Sequence, residues 1–358
     1  MLGWQFFILT ICLIFGLASI GPVDSKRCKT HDNKIGKCLR PRDCPALKPV
    51  VDKINKGIIL TDQEKVLKKS VVPCYAHKVF CCEEKLNSTG LELLEKNNHI
   101  CGTFNDIKVF GGRITKAQPW LALLQFNKTT ELNNTRVSNC AGTLISSDFI
   151  LTAAHCISEE LISVRFGEYN ITSAEDCVLY GGKRECLPPP VDILVGETIV
   201  HPNYSEVNYQ NDIALIRLKD PVQFNDFILP ICLPLYPDVQ VESEEKSLLE
   251  VVGWGLTENG KLSEVPIKSF LIRLPSTKCK KHNMSLSDTQ ICVSANEDDS
   301  CQGDSGGPLA YPGTFNGKQR YVQAGIVSYG SASCGSFPVA VYTYVSEYVS
   351  WITSKIAV

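Results

Sequence analysis

From residue 109 onward the chain alternates short apolar runs with turn residues. "LALLQF" at 121–126, "DIALIRL" at 212–218, "LLEVVGWG" at 248–255 and "VQAGIVSYG" at 322–330 are of strand length and are separated by Gly, Pro, Asn and Asp. Many short strands with such punctuation predict an antiparallel sandwich or barrel, not βαβ units. The period changes near the C-terminus, where Val345, Tyr348, Val349, Ile352 and Ile356 recur at helical spacing after Ser346, a candidate N-cap. At the other end, "MLGWQFFILTICLIFGLASIG" is apolar and gives way to polar, basic sequence from Asp24 to Lys29. Residues 1–25 therefore read as a secretory signal peptide, cut after Ala18 or nearby. A membrane anchor is the rival, since the start of the run lacks Lys and Arg and the run approaches spanning length. No later segment is apolar enough to span a bilayer.

Composition adds the compartment. The 358 residues are 44% hydrophobic and 21% charged with a net charge of −2, which gives no bias towards nucleic acid or an anionic membrane. Of 17 cysteines, Cys12 lies in the apolar leader, leaving an even 16 for pairing in an oxidising compartment. Six glycosylation sequons begin at Asn87, Asn127, Asn133, Asn170, Asn203 and Asn283, in keeping with a secreted glycoprotein. Six cysteines (Cys28, Cys38, Cys44, Cys74, Cys81 and Cys82) crowd into residues 28–82, a segment too small to bury much core without disulfides. Zinc is the competing use, but no paired C-x-x-C spacing occurs there, and six cysteines allow 15 pairings. "EEKLNSTGLELLEKNNHI" between Cys82 and Cys101 is polar and predicts an exposed linker.

Three short motifs carry chemistry. In "CQGDSGGPL" at 301–309, glycines around Ser305 let the backbone turn sharply, and the N–H groups of Gly303 and Ser305 can face a developing oxyanion. By itself this could be a tight surface loop. "LTAAHC" at 151–156 supplies His155, and "NDIALIRL" at 211–218 supplies Asp212. A serine nucleophile needs a base, and the base needs a carboxylate to fix its tautomer. His155 could instead be a satisfied core histidine and Asp212 a strand cap, but the three together fill all three roles.

On TAAHC, DIAL, GWG, GDSGGP and IVSYG, residues 109–358 resemble the trypsin-like serine proteases of the chymotrypsin fold. Residues 26–83, with the terminal Cys81-Cys82 pair, resemble the clip domain that precedes such proteases in arthropods. The resemblance implies an all-β fold of two six-stranded antiparallel barrels with a C-terminal helix, preceded by a small disulfide-rich module and by a linker and activation site at 84–108. It implies the pairs Cys28–Cys81, Cys38–Cys74, Cys44–Cys82, Cys101–Cys232, Cys140–Cys156, Cys177–Cys186, Cys279–Cys292 and Cys301–Cys334. It puts Asp299 on the floor of a pocket for substrate Lys or Arg; the rival is one more acid in an exposed loop. Gly330 would stand at the pocket entrance and Ser328 beside the substrate backbone.

"PVAVYT" at 338–343 departs from the usual Pro-Gly-Val-Tyr-Thr and puts Ala340 where glycine is usual, which would narrow the pocket and weaken Arg relative to Lys. "GEYNITSAED" at 167–176 is similar to the family's calcium loop, with Glu168, Asn170, Ser173 and Glu175 as ligands of a structural Ca²⁺; the alternative is a solvated acidic loop. "KVFGG" at 108–112 is the predicted activation site: cleavage after Lys108 would free the Val109 amine to pair with Asp304. The family's usual Ile-Val-Gly-Gly is here Val-Phe-Gly-Gly, and Arg113 is a competing cut site. No cofactor enters catalysis. The implied partners are protein substrates in a haemolymph immune cascade (downstream zymogens, prophenoloxidase or a cytokine precursor), an upstream activating protease and inhibitory serpins. The competing function is a catalytically weak clip-domain cofactor.

Overall fold

The alternating runs become strands of two barrels, and the cysteine-rich segment becomes a separate small sheet. The computed structural model describes residues 27–357 except 31, 33, 75–78, 105, 111–112, 117, 128–139, 181–182, 237–246, 256–260, 283, 285, 295–303, 316 and 331–338. The signal-peptide reading, Asn133, Asn283, Asp299, Gly303 and the Cys301–Cys334 pair fall outside the described residues. Among the described residues, no helix is long and apolar enough to cross a membrane.

In the N-terminal module β1 (Arg27–Lys29), β2 (Ile35–Leu39) and β3 (Phe80–Glu83) form an antiparallel sheet, with α1 (Lys48–Asn55) and α2 (Asp62–Ser70) in the connection. Its disulfides are Cys28–Cys81, Cys38–Cys74 and Cys44–Cys82. The buried set is correspondingly rich in cystine: Cys38, Cys44, Cys81 and Cys82 with Leu47, Val50 and Val79. So few apolar side chains cannot offset the ordering entropy of the segment, and the cross-links supply the difference by restricting the unfolded chain. Thr61 caps α2 in a capping box with Glu64, and Lys53 reaches Glu64 at 2.6 Å to tie α1 to α2.

The predicted exposed linker is instead partly helical. α3 (Ser88–Glu95) begins at Asn87, whose Oδ1 accepts the N–H groups of Thr89 and Gly90 at 3.0 and 3.2 Å. Gly90 and Leu94, one turn apart, are buried, and the helix packs on the C-terminal helix. A Cβ at Gly90 would lie 1.8 Å from the Thr353 carbonyl oxygen, so only glycine permits this approach. Beyond α3 the Cys101–Cys232 bond fastens the chain to the catalytic region, and Gly102 (φ +61°) exchanges two hydrogen bonds with Tyr321 and Pro230. Buried Arg320 adds donations to Thr103 Oγ1 at 2.5 Å and the His99 carbonyl at 2.8 Å. The polar sequence concealed this docking because its partners lie more than 100 residues away.

A hairpin follows, β4 (Asp106–Phe110) with β5 (Arg113–Lys116), which places the intact Lys108–Val109 bond within a strand. The first barrel comprises β6 (Leu121–Phe126), β7 (Ala141–Leu144), β8 (Phe149–Thr152), β9 (Leu161–Phe166), β12 (Val191–Val200) and β13 (Ala214–Leu218), closed in the order β12-β13-β8-β7-β6-β9. Between them the hairpin β10 (Cys177–Tyr180) and β11 (Lys183–Cys186), bridged by Cys177–Cys186, packs against β4. The second barrel comprises β14 (Leu248–Gly253), β15 (Ile267–Leu274), β16 (Gln290–Ser294), β17 (Pro308–Phe315), β18 (Lys318–Tyr329) and β19 (Val339–Tyr344), closed as β14-β15-β16-β19-β18-β17. Closure removes strand edges, and each barrel fills with alternating inward side chains such as Leu151, Val164 and Leu215 in the first and Leu249, Val293 and Leu309 in the second.

α4 (Ser276–Lys281) is held to β16 by Cys279–Cys292. At the C-terminus a 3₁₀ turn, Val345–Tyr348, precedes α5 (Val349–Lys355), so Ser346 is buried inside the turn and does not cap the helix. The apolar spacing marked the buried face correctly, with Val345, Tyr348, Val349, Ile352 and Ile356 all buried, but the first turn is 3₁₀. Lys37 of β2 donates to the Glu347 carbonyl and carboxylate at 3.2 and 3.1 Å, seating the N-terminal module beside this turn.

Candidate active site

The three motif residues arrive from different elements. β8 ends in "LT", and the 3₁₀ turn Ala154–Cys156 that follows carries His155. The Cys140–Cys156 bond pins that turn to the start of β7. Asp212 sits just ahead of β13, with no exposed surface. Its Oδ2 lies 2.8 Å from His155 Nδ1, and its Oδ1 accepts the His155 backbone N–H at 3.0 Å. An ionised carboxylate can only accept, so Nδ1 carries the proton and Nε2 keeps its lone pair for a hydroxyl.

Asp212 is held further by the second barrel. Ser328 Oγ donates to Oδ2 at 2.6 Å, and Thr343 Oγ1 donates to the Asp212 carbonyl at 2.7 Å. The Ser328 side chain thus serves the buried carboxylate. Thr343 was not singled out in the sequence; a hydroxyl in a strand of apolar residues is its only local signal.

Ser305 lies in a turn clasped by both barrels. Ala141 N–H of β7 donates to the Ser305 carbonyl at 2.8 Å, while Gly306 N–H donates to Val327 of β18 at 2.9 Å. Gly306 has φ +79°, and a Cβ there would lie 2.2 Å from Thr152 Oγ1 and 2.4 Å from the Ala141 carbonyl oxygen. A left-handed conformation costs other residues about 1–2 kcal/mol, and here the space is also filled. Asp304 is buried, accepts the Gly255 N–H at 2.9 Å, and lies against Gly253 and Gly255, the glycines of "GWG".

Around the imidazole, the Tyr209 ring stands edge-on to His155 at 5.8 Å and tilts against Tyr329 at 5.2 Å. Burial pushes the Tyr329 hydroxyl pKa upward. Gly330, exposed at the end of β18, faces Ala340: a Cβ on Gly330 would lie 3.4 Å from the Ala340 methyl.

The four residues proposed for calcium do not converge. Glu168 accepts from Arg165 Nη1 at 3.2 Å and from Tyr169 N–H at 2.9 Å, whereas Glu175 turns to Arg184 at 2.6 Å. The Asn170 carbonyl accepts the Ser173 N–H at 3.1 Å. The acid that closes the loop is Asp176, which accepts the Asn170 N–H at 3.1 Å and the Ser173 hydroxyl. Arg165 also forks onto Asp192 with two 2.7 Å bonds, which raises the guanidinium pKa and lowers that of Asp192. These donors and cations do not fit an oxygen cage for Ca²⁺.

Two closed antiparallel barrels with a serine turn between them and a buried Asp–His pair define a serine endopeptidase of the trypsin-like type. The chain belongs to the Trypsin family, whose match spans residues 110–352. It also belongs to that family's clip-domain serine proteases. It is 32% identical to "Serine protease grass" of Drosophila melanogaster over 97% of this chain and 98% of that protein. It is 42% identical to "Phenoloxidase-activating factor 3" of Holotrichia diomphalia, over 78% of this chain and 80% of that one. The solved structure described as "Crystal structure of drosophila Grass clip serine protease of Toll pathway" matches with a TM-score of 0.66 at 32% identity, covering 93% of this chain and 98% of that chain.

Proposed function

We propose that this protein is the secreted zymogen of an endopeptidase that cuts after Lys or Arg in an extracellular immune cascade, and that cleavage after Lys108 activates it. Ser305 attacks the scissile carbonyl. His155 Nε2 takes the serine proton and returns it to the leaving amine, while Asp212 fixes the tautomer and stabilises the imidazolium. The single observation that carries the reading is the Asp212–His155 pair, with the second barrel's Ser328 hydroxyl on the same carboxylate oxygen. An inactive cofactor could keep that pair and lose the nucleophile, so it is the presence of Ser305 together with His155 and Asp212 that disfavours the inactive-cofactor alternative.

Activation rests on the position of the Lys108–Val109 bond ahead of the first barrel and on buried Asp304 beside Ser305. Cutting would release the Val109 amine, and an ammonium group is the partner a buried carboxylate favours. In the cut enzyme the Gly303 N–H would face the oxyanion. Asp299 would supply the pocket charge for substrate Lys or Arg, and Ala340 its narrowed wall. The Cys101–Cys232 bond would keep the clip module attached after cleavage. Names of the relatives, which refer to Toll and to phenoloxidase activation, support substrates in such a cascade, for which we propose downstream zymogens, prophenoloxidase or a cytokine precursor; serpins would be the inhibitors.

The test is limited cleavage of the full chain, sequencing of the new N-terminus, and fluorophosphonate labelling. The reading expects Val109 as the new N-terminus, labelling of Ser305 only after the cut, and cleavage of Lys and Arg peptides. Absence of labelling in correctly cut protein would favour the cofactor alternative. Mixing active enzyme with its own Ser305→Ala zymogen tests autoactivation, with uncut zymogen as the refuting result.

A further inference from the structure

The segment Tyr209–Asp212 contains the two non-glycine residues with positive φ among those described, Tyr209 at +52° and Asn211 at +55°. Bulky side chains avoid this region, so neighbouring contacts must hold the segment there. The segment belongs to the first barrel, yet the side-chain donors that hold it come from the second barrel and the C-terminal turn. Gln290, the first residue of β16, is 6% exposed and donates Nε2–H to the Tyr209 carbonyl at 3.1 Å. Its amide orientation is fixed by Ser287, whose backbone N–H can only donate and lies 3.0 Å from Oε1. The Ser287 hydroxyl adds a second donation to Oε1 at 3.1 Å.

Gln290 pairs in register with Thr343 of β19, and Thr343 holds the Asp212 carbonyl at 2.7 Å. One rung of the second barrel therefore grips both ends of the segment. Between them, Tyr348 OH donates to Asn211 Oδ1 at 2.9 Å, with its pKa pushed up to about 12 by burial, so it keeps the proton. Asn211 Nδ2 donates in turn to the Asn203 carbonyl at 2.8 Å.

We infer that Gln290 is a positioning residue for catalysis: by fixing Tyr209 in its left-handed conformation it holds the Tyr209 ring edge-on against His155. Asp212 has Thr343 and Ser328 as independent anchors, so loss of the Gln290 donation should leave the carboxylate in place and release the ring. Without that ring the outer side of the imidazole loses its packing, and Nε2 is less narrowly aimed. Gln290 touches neither substrate nor the reacting atoms. Its effect runs through Tyr209, which separates this role from that of the residues on Asp212.

The inference rests on the serine protease activity and is tested on the activated full-length chain, with fluorophosphonate titration of Ser305 so that rates are per competent site. Gln290→Glu is isosteric, keeps the acceptor for Ser287 and removes the donor to Tyr209. It is expected to lower kcat about tenfold, within the sensitivity of catalysis to displacements of about 1 Å, with KM for a short Lys substrate changed less than twofold. Tyr209→Gly keeps the backbone conformation without strain and removes the ring. If Gln290 acts through the ring, Gln290→Glu in the Tyr209→Gly background should cost less than twofold more. A Gln290→Glu enzyme with wild-type kcat overturns the inference, and so does a double variant in which the two effects multiply. Should Gln290→Glu fold poorly, Gln290→Met in both backgrounds makes the same comparison.

Discussion

The proposal that Ala340 narrows the substrate pocket gives the sharpest measurable consequence. Ala340 is buried on β19, its methyl facing Gly330 at the end of β18, and a Cβ on Gly330 would sit only 3.4 Å from it. The wall between these strands thus carries one methyl where the family usually has glycine. A single methylene in an enzyme pocket changes discrimination by about 1–3 kcal/mol, or 10–200-fold. The broad planar guanidinium should suffer more than the slim ammonium. Ala340→Gly is therefore expected to raise the ratio of kcat/KM for Arg over Lys peptides by about tenfold, equivalent to about 1.4 kcal/mol. Gly330→Ala should act in the opposite direction and depress both substrates, since two methyls would then meet across the wall. The assay is a pair of peptides differing only at the residue before the cut, with rates normalised to titrated Ser305. A ratio for Ala340→Gly within twofold of wild type, at unchanged site count, would refute the placement of this methyl in the pocket.

Three further outcomes follow from the same geometry. Because Arg165 already engages Glu168 and Asp192, the thermal midpoint should be unchanged by a chelator, while Arg165→Gln should lower it by about 2–4 °C; a chelator-induced drop in the wild type would contradict the arginine-held loop. His201 is packed against Tyr348 and Trp351, and burial first, then Lys355, lowers its pKa below the ordinary 6.5. The unfolded state then binds the proton more readily, so stability from this group is present above pH 6.5 and lost as pH falls through the folded pKa; His201→Phe should flatten denaturant midpoints over that window, and an unaltered slope would count against it. Finally, removing both Cys101 and Cys232 should cost the uncut chain up to about 5 kcal/mol, from a loop of 131 residues. After cleavage the clip segment of that variant should still co-elute with the peptidase domain through α3, Lys37 and Arg320, and separate elution would show those contacts to be insufficient.

The catalytic residues were legible because glycine-rich and small-residue motifs impose local geometry. The turn at Ser305 requires glycine at 306, and that requirement is written in the chain at the site itself. Barrel strands such as Leu121–Phe126 were equally plain from alternation. The acids of the Glu168–Glu175 set suggest calcium, but the fold pairs Glu168 with Arg165, near the end of the strand that leads into the loop, and Glu175 with Arg184, on the hairpin that follows it.

By itself, then, the sequence determined the class of chemistry and the strand-rich architecture, each encoded in contiguous stretches. Only the tertiary structure decided that the polar linker folds and docks through Gly90, that Ser328 bonds Asp212, and that Gln290 meets Tyr209. Those contacts join residues 81 to 263 positions apart. Their energy depends on a buried donor meeting one particular carbonyl or carboxylate, and closure of both barrels sets that meeting, not any local pattern.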